Sequence, residues 1–120
     1  MQLQVISKDG KKYLKDVVVG ELLLCDDGHY YPVRNKLLVI ATGVFCRLSN
    51  GCSFHVYDRI KIKTSKGFKC PELWDVIPVS KDLEPVVATC QISLKKILFY
   101  DILIDGNTIS PEGIVFMYGE

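Results

Sequence analysis

Short turn signals recur along the whole chain, and the runs between them alternate rather than repeat with a helical period. Lys8-Asp9-Gly10, Asp26-Asp27-Gly28, Ser49-Asn50-Gly51, Ser65-Lys66-Gly67, Asp105-Gly106-Asn107 and Ser110-Pro111-Glu112-Gly113 are all turn sequences. Their Gly and Asn residues tolerate positive φ, and their Asp, Ser and Pro residues favour tight turns. The runs between them are rich in β-branched and aromatic residues, which suit a pleated, half-buried surface. Arg59-Ile-Lys-Ile-Lys63 alternates most cleanly, basic on one side and isoleucine on the other. This pattern predicts a compact all-β domain of many short strands, with at most one or two helical turns.

Strands are expected over 3–6, 21–25, 30–41, 44–48, 52–56, 59–63, 68–70 and 76–79, then 86–105, 108–109 and 114–118. The strand over 86–105 is long or bent, and its second half, 97–105, alternates most strongly. Residues 14–20 suit a helical turn ended by Gly20, and Pro71-Glu-Leu-Trp74 another with proline at its first position. Residues 80–84 form a polar loop. The strand over 30–41 should bend near Pro32 and lie at a sheet edge there, because proline cannot donate to a ladder. Asn50-Gly51 between two apolar-rich runs is a strong hairpin signal. A two-residue turn there would set Cys46 opposite His55 on one face.

The 120 residues suffice for one domain, 1–120, with its own core. Hydrophobic residues at 48% and charged residues at 24% describe a globular chain rather than a disordered one. A formal net charge of +1 gives no bulk argument for nucleic acid or for an anionic membrane. Apolar runs such as Ile97-Leu-Phe-Tyr100 stop well short of the roughly 20 residues a membrane span needs. The opening Met1-Gln-Leu-Gln-Val-Ile6 has no basic segment followed by an apolar stretch, so no signal peptide is expected. Five scattered cysteines, an odd number, point to reduced thiols and a cytoplasmic setting.

Three blocks carry a family resemblance. The opening Gly10-x3-Leu14-Lys-Asp-Val17-x2-Gly20-Glu21-x-Leu23-x3-Asp27-Gly28 is one. Asn50-Gly51 to Trp74, with Gly67 and Glu72-Leu73, is the second, and Tyr100-Asp-Ile102 through Gly113-Ile114-Val115-Phe116-Met117-Tyr118 the third. In order and spacing they resemble the Hint (hedgehog/intein) superfamily. That resemblance implies a horseshoe-like β domain with its chain ends close together. It also implies self-processing chemistry at defined positions. Counting back from Gly67 and Glu72-Leu73 puts His55 at the family's central Thr and Asp58 at its central His; Met117 and Tyr118 stand where the family has His-Asn. A nucleophilic Cys or Ser opens the family pattern, whereas this chain opens Met1-Gln2. A carboxylate ionised near neutral pH cannot donate a proton as the His does, and Met and Tyr cannot replace a cyclising Asn and its His helper. The expectation is a non-enzymatic, intein-like domain that binds a protein partner or serves as a structural module, with no cofactor. The resemblance also suggests a phage or other mobile-element setting, and then the host cytoplasm.

Other residue groups allow further readings. Cys46, Cys52, His55 and Cys70 are candidate zinc ligands, although Cys-x5-Cys-x2-His is not an established ligand spacing and buried cysteines are commoner as core residues. Cys52, Cys70 or Cys90 could serve a residual or thiol-dependent peptide-bond hydrolase, but a strand sets Cys52 and His55 on opposite faces. The row Arg59, Lys61, Lys63, with Lys66 and Lys69 beyond, is the candidate binding surface. It suits a protein interface better than nucleic acid, since no aromatic platform is interleaved with it. Tyr30, Tyr31, Tyr57 and Trp74 are candidate partner anchors, though aromatics of this kind are more often buried.

Overall fold

The computed structural model describes residues 3–49, 53–64, 66–70, 76–77 and 86–118, with side chains described in all of these except 76–77 and 86–94. Gln4–Ser7 (β1) and Gly10–Tyr13 (β2) form the first hairpin, turning where Gly10 adopts a φ of 117°. A 3-10 turn, Leu14–Asp16, leads to Leu22–Leu24 (β3) and Tyr30–Pro32 (β4). These four strands make one antiparallel sheet in the order β2-β1-β3-β4, with Pro32 on the outer strand as its missing N–H requires.

Val33-Arg34 hands the chain from this sheet to the next. The Val33 N–H donates to Glu21 C=O at 2.9 Å, and the Arg34 N–H to Leu103 C=O at 2.7 Å. Asn35–Leu48 (β5) then runs for 14 residues, so the expected separate strands over 30–41 and 44–48 are instead divided at Val33-Arg34. Gly43, which lies between the two expected strands, continues β5. Ser53–Tyr57 (β6) pairs with the end of β5, and Val86–Leu103 (β10) pairs along nearly its whole length. Lys61–Thr64 (β7), Gly67–Lys69 (β8) and Val76–Ile77 (β9) lie between them in sequence. Thr108–Ile109 (β11) and Val115–Met117 (β12) end the fold. The second and third sheets have the orders β6-β5-β10-β9 and β11-β12-β7-β8.

The chain is therefore nearly all β, and among the described residues the 3-10 turn is its only helical piece. No described helix is long and apolar enough to cross a membrane. The helical turn and the anchor Trp74 expected over 71–74, and the loop over 80–84, lie outside the described residues. Of the four candidate anchors, Tyr57 is buried and Tyr30 is exposed.

The core gathers one side of each sheet. Val5 and Leu23 come from the first, Val44, Cys46, Phe54 and Val56 from the second, and Ile62 and Phe116 from the third, with Leu14 and Val17 added by the 3-10 turn and the residue after it. The alternation at β7 holds: Lys61 and Lys63 are exposed, while Ile62 and Thr64 are buried. Leu3 and Gln4 border one cavity with Ile114 and Phe116, so the two ends of the described chain converge as the horseshoe requires.

The β5–β6 register departs from the sequence reading for a clear cause. In the β5–β6 hairpin Phe45 stands opposite His55, and Cys46 opposite Phe54. Arg47 pairs with Ser53, which leaves the five residues 48–52 between them. A two-residue turn needs an even number there, so the register shifts by one and every side-chain face changes over. The long or bent strand expected over 86–105 is found as β10, with an irregularity in its ladder to β5. Ile92 pairs with Val44 and Lys96 with Thr42, so Ser93, Leu94 and Lys95 span the single residue Gly43. Irregularity of this kind bends the strand that carries the extra residues.

Candidate functional site

A cavity of about 200 Å³ opens between β6 and β10 of the second sheet and the 3-10 turn, bordered by Leu3, Leu14, His55, Tyr57, Ile60 and residues 97–100 of β10. Its chemistry centres on His55. The His55 ring meets Phe99 edge-on at 5.3 Å between centroids and Phe45 at 6.2 Å. It also lies directly over Gly43, where any Cβ would collide with its Nε2. The glycine is required by this close approach, not by its backbone conformation.

Burial pushes the His55 imidazole below its usual 6.5. The unfolded chain therefore binds a proton more readily than the folded one. Its contribution to stability is fully present above pH about 6.5 and is lost as pH falls below that value. Urea midpoints at pH 7.5 and 5.5 should differ more for the parent than for His55→Gln. An equal pH dependence in the two proteins would show that His55 stays hydrated when folded.

The family's chemical positions fall in different elements. Asp58 is exposed in the turn after β6, its N–H donating to Thr42 C=O at 3.0 Å. Met117 stands in the β12 ladder opposite Lys61. The Tyr118 hydroxyl accepts from Thr108 Oγ1 at 3.1 Å, and burial pushes its acidity far from the neutral range. Tyr118 is thus a packed, hydrogen-bonded side chain.

The zinc candidates separate as well. Cys46 is fully buried opposite Phe54, while His55 projects from the other face of its hairpin, so the expected pairing of the two is corrected by the register. Cys70 is half-buried just beyond β8. Cys52 lies outside the described residues, as does the Cys90 side chain. No group of three or more His, Cys, Asp or Glu able to hold a metal occurs among the described residues.

The basic row divides in two. Lys61 and Lys63 project outward from β7, Arg59 lies 5.9 Å from the Tyr57 ring centroid, and Lys66 occupies the exposed turn. Lys69 pairs with the buried Ile62 and so stands on the other face. Phe68, opposite Lys63, is the one aromatic the register places beside the outward lysines.

A different surface was not singled out in the sequence. Leu38 is 60% exposed, Ile40 69% and Leu98 53%. Ile40 stands opposite Leu98, and Leu38 opposite Tyr100, so these four side chains form one row across the β5–β10 ribbon. The available signal was Lys36-Leu-Leu-Val-Ile40, which fails to alternate and so has apolar residues for both faces.

No family model matches the chain, and no curated protein does either. Solved structures do. The gp41-1 intein superposes with a TM-score of 0.82 at 17% identity, covering 98% of this chain and 94% of that one. The MchDnaB-1 intein gives 0.79 at 19% identity over 98% and 97%. A bacterial intein-like domain from Clostridium thermocellum gives 0.75 at 10% identity over 98% and 97%. With the three-sheet architecture described above, these likenesses show that the chain has the intein-like Hint fold over nearly its whole length.

Proposed function

We propose that this is a non-splicing Hint domain that works by binding a protein partner in the cytoplasm. The observation that carries the reading is the row Leu38, Ile40, Leu98 and Tyr100. A domain that only had to stay folded gains nothing from three large aliphatic side chains more than half exposed on adjacent strands. The remaining positions support it. Asp58 holds a carboxylate where the family's His donates a proton, and Met117 and Tyr118 hold packing groups where the His-Asn pair cyclises. The outward pair Lys61 and Lys63, with Arg59, supplies a second, polar contact surface.

The test is a fusion of residues 1–120 between two carrier proteins, followed by intact-mass spectrometry over days at 25 and 37 °C. The expected result is one unchanged mass, with neither junction cut and no ligated carrier product. Time-dependent scission or ligation would return the domain to the self-processing class.

A further inference from the structure

We infer that the cavity beside His55 binds a small neutral phenol, its ring held among apolar side chains and its hydroxyl hydrogen-bonded to the imidazole. This goes beyond the protein-contact reading and does not depend on it.

Gly43 is where the site is built. β6 and β10 lie on either side of β5, and two strand spacings are about 9–10 Å. Yet the ring centroids of His55 on β6 and Phe99 on β10 are only 5.3 Å apart. They meet because the strand between them carries no side chain at that point. A Cβ on Gly43 would collide with His55 Nε2 and lie 3.1 Å from Phe99 Cζ. A glycine inside a strand often marks a close approach of this kind. Tyr57, opposite Gly43 on β6, adds a third ring, its centroid 6.1 Å from that of Phe99. Phe99 meets the His55 ring at 83° and the Tyr57 ring at 49°. Rings so inclined do not stack into a column; they wall a space.

The rest of that wall is largely aliphatic. Leu3, Leu14, Ile60 and Ile97 border the cavity, and no carboxylate does. Lys15 is the one charged residue on the border among the described residues, and it is exposed. A cation therefore finds no counter-charge inside, and an anion would leave water for a lysine that is itself solvated. An uncharged ligand is favoured. The volume, about 200 Å³, sets its size. An apolar cavity of about 150 Å³ admits a benzene ring, so a single ring with one or two small substituents fills this one.

The imidazole decides the polar group. Among the described residues no hydrogen bond is made to either ring nitrogen of His55, and burial disfavours its charged form. A neutral imidazole offers one N–H donor and one acceptor nitrogen. A pure hydrocarbon would strip water from these groups and give nothing back, which costs more than making no contact. A single hydroxyl on the ring satisfies one of them.

The probe is p-cresol, titrated at pH 7.5 into full-length protein carrying 13C-labelled Leu and Ile methyl groups. Its apolar isostere p-xylene is the control. p-Cresol should bind with a Kd of about 0.1 mM, within reach of a ligand of about eight non-hydrogen atoms. p-Xylene should bind about tenfold more weakly, the factor one well-made hydrogen bond supplies. Nuclear Overhauser contacts should run from the p-cresol ring to the methyl groups of Leu14, Ile60 and Ile97. His55→Leu should bring the two ligands to equal affinity. If His55 only packed the wall, the same change would lower both affinities and leave their ratio unaltered, and that result would overturn the inference. Ile97→Trp, which fills the space, should abolish binding of both ligands. Should that variant fail to fold, the contacts in the parent protein still locate the ligand. No binding at about 2 mM p-cresol, well above the expected Kd, would overturn the inference, as would contacts confined to other residues. N-acetyltyrosinamide should bind no more tightly than p-cresol. Tighter binding would overturn the free ligand in favour of a tyrosine side chain presented by a partner protein. None of these outcomes depends on whether the fusion splices.

Discussion

Phe116→Ala is expected to lower the unfolding free energy by about 3–5 kcal/mol, the range for truncating a buried aromatic. Phe116 is fully buried in the middle of β12, opposite Ile62 of β7 and Thr108 of β11. Its ring meets Phe54 of β6 edge-on at 5.3 Å and 86°, which ties the third sheet to the second. The truncation therefore opens a void between two sheets that the surrounding strands cannot close without breaking their ladders. Domains of this size keep only about 5–15 kcal/mol in total, so the variant should be visibly closer to its unfolding threshold. Phe116→Leu, which keeps most of the volume, should lose less than half as much. Urea denaturation at pH 7.5 reads both. A loss below about 1 kcal/mol for the alanine variant would mean that Phe116 does not join the sheets as described.

Gly106→Ala has the second large effect, about 1–3 kcal/mol of destabilisation from overpacking. A Cβ at this position would lie 2.6 Å from Cys25 Sγ and 2.8 Å from Tyr31 Cδ2, closer than real Cβ contacts come. Neither neighbour moves easily. Cys25 is buried and bridges to Thr108, and the Tyr31 hydroxyl is held by the Asp27 carboxylate. Cys25→Ala removes the nearest atom, so the double variant should recover part of the loss, a coupling that thermal or urea unfolding of the four proteins measures. Strict additivity would place the clash elsewhere.

Gly106 also shows how far the sequence could be read. The right residue was identified for a different reason: Asp105-Gly106-Asn107 reads as a turn needing positive φ, yet Gly106 is absent from the glycines with positive φ. What it needs is room for side chains 81 and 75 residues away in the chain, Cys25 and Tyr31. No local pattern can reveal that. Where the deciding physics is local, the reading holds. The alternation of Lys61 and Lys63 with Ile60 and Ile62 fixed both the strand and its buried face, and Gly10 and Gly28 turn with positive φ where their turn signals put them. The β5–β6 register depended on the parity of a connection, and one residue of error moved Cys46 away from His55. Gly43 lay between the strands expected over 30–41 and 44–48, and the group that needs it there, the His55 ring, arrives from another strand. The apolar row was hidden for the same reason. Leu38 and Ile40 look like core residues until Leu98 and Tyr100 are placed beside them and nothing described covers the pair.

The β5–β10 ladder has a kinetic consequence. Its pairs join residues from 40 positions apart, Leu48 with Ala88, to 68 apart, Asn35 with Leu103. Loop-closure entropy must be overcome before any of these contacts is rewarded, and β domains dominated by such distant pairings fold in about milliseconds to seconds rather than microseconds. During that interval both long strands are unpaired, and Leu37, Leu38, Val39 and Ile40 form an uninterrupted apolar segment. Refolding yield should therefore fall with protein concentration more steeply than refolding rate does, because association of this segment between chains competes with closure of the ladder within one.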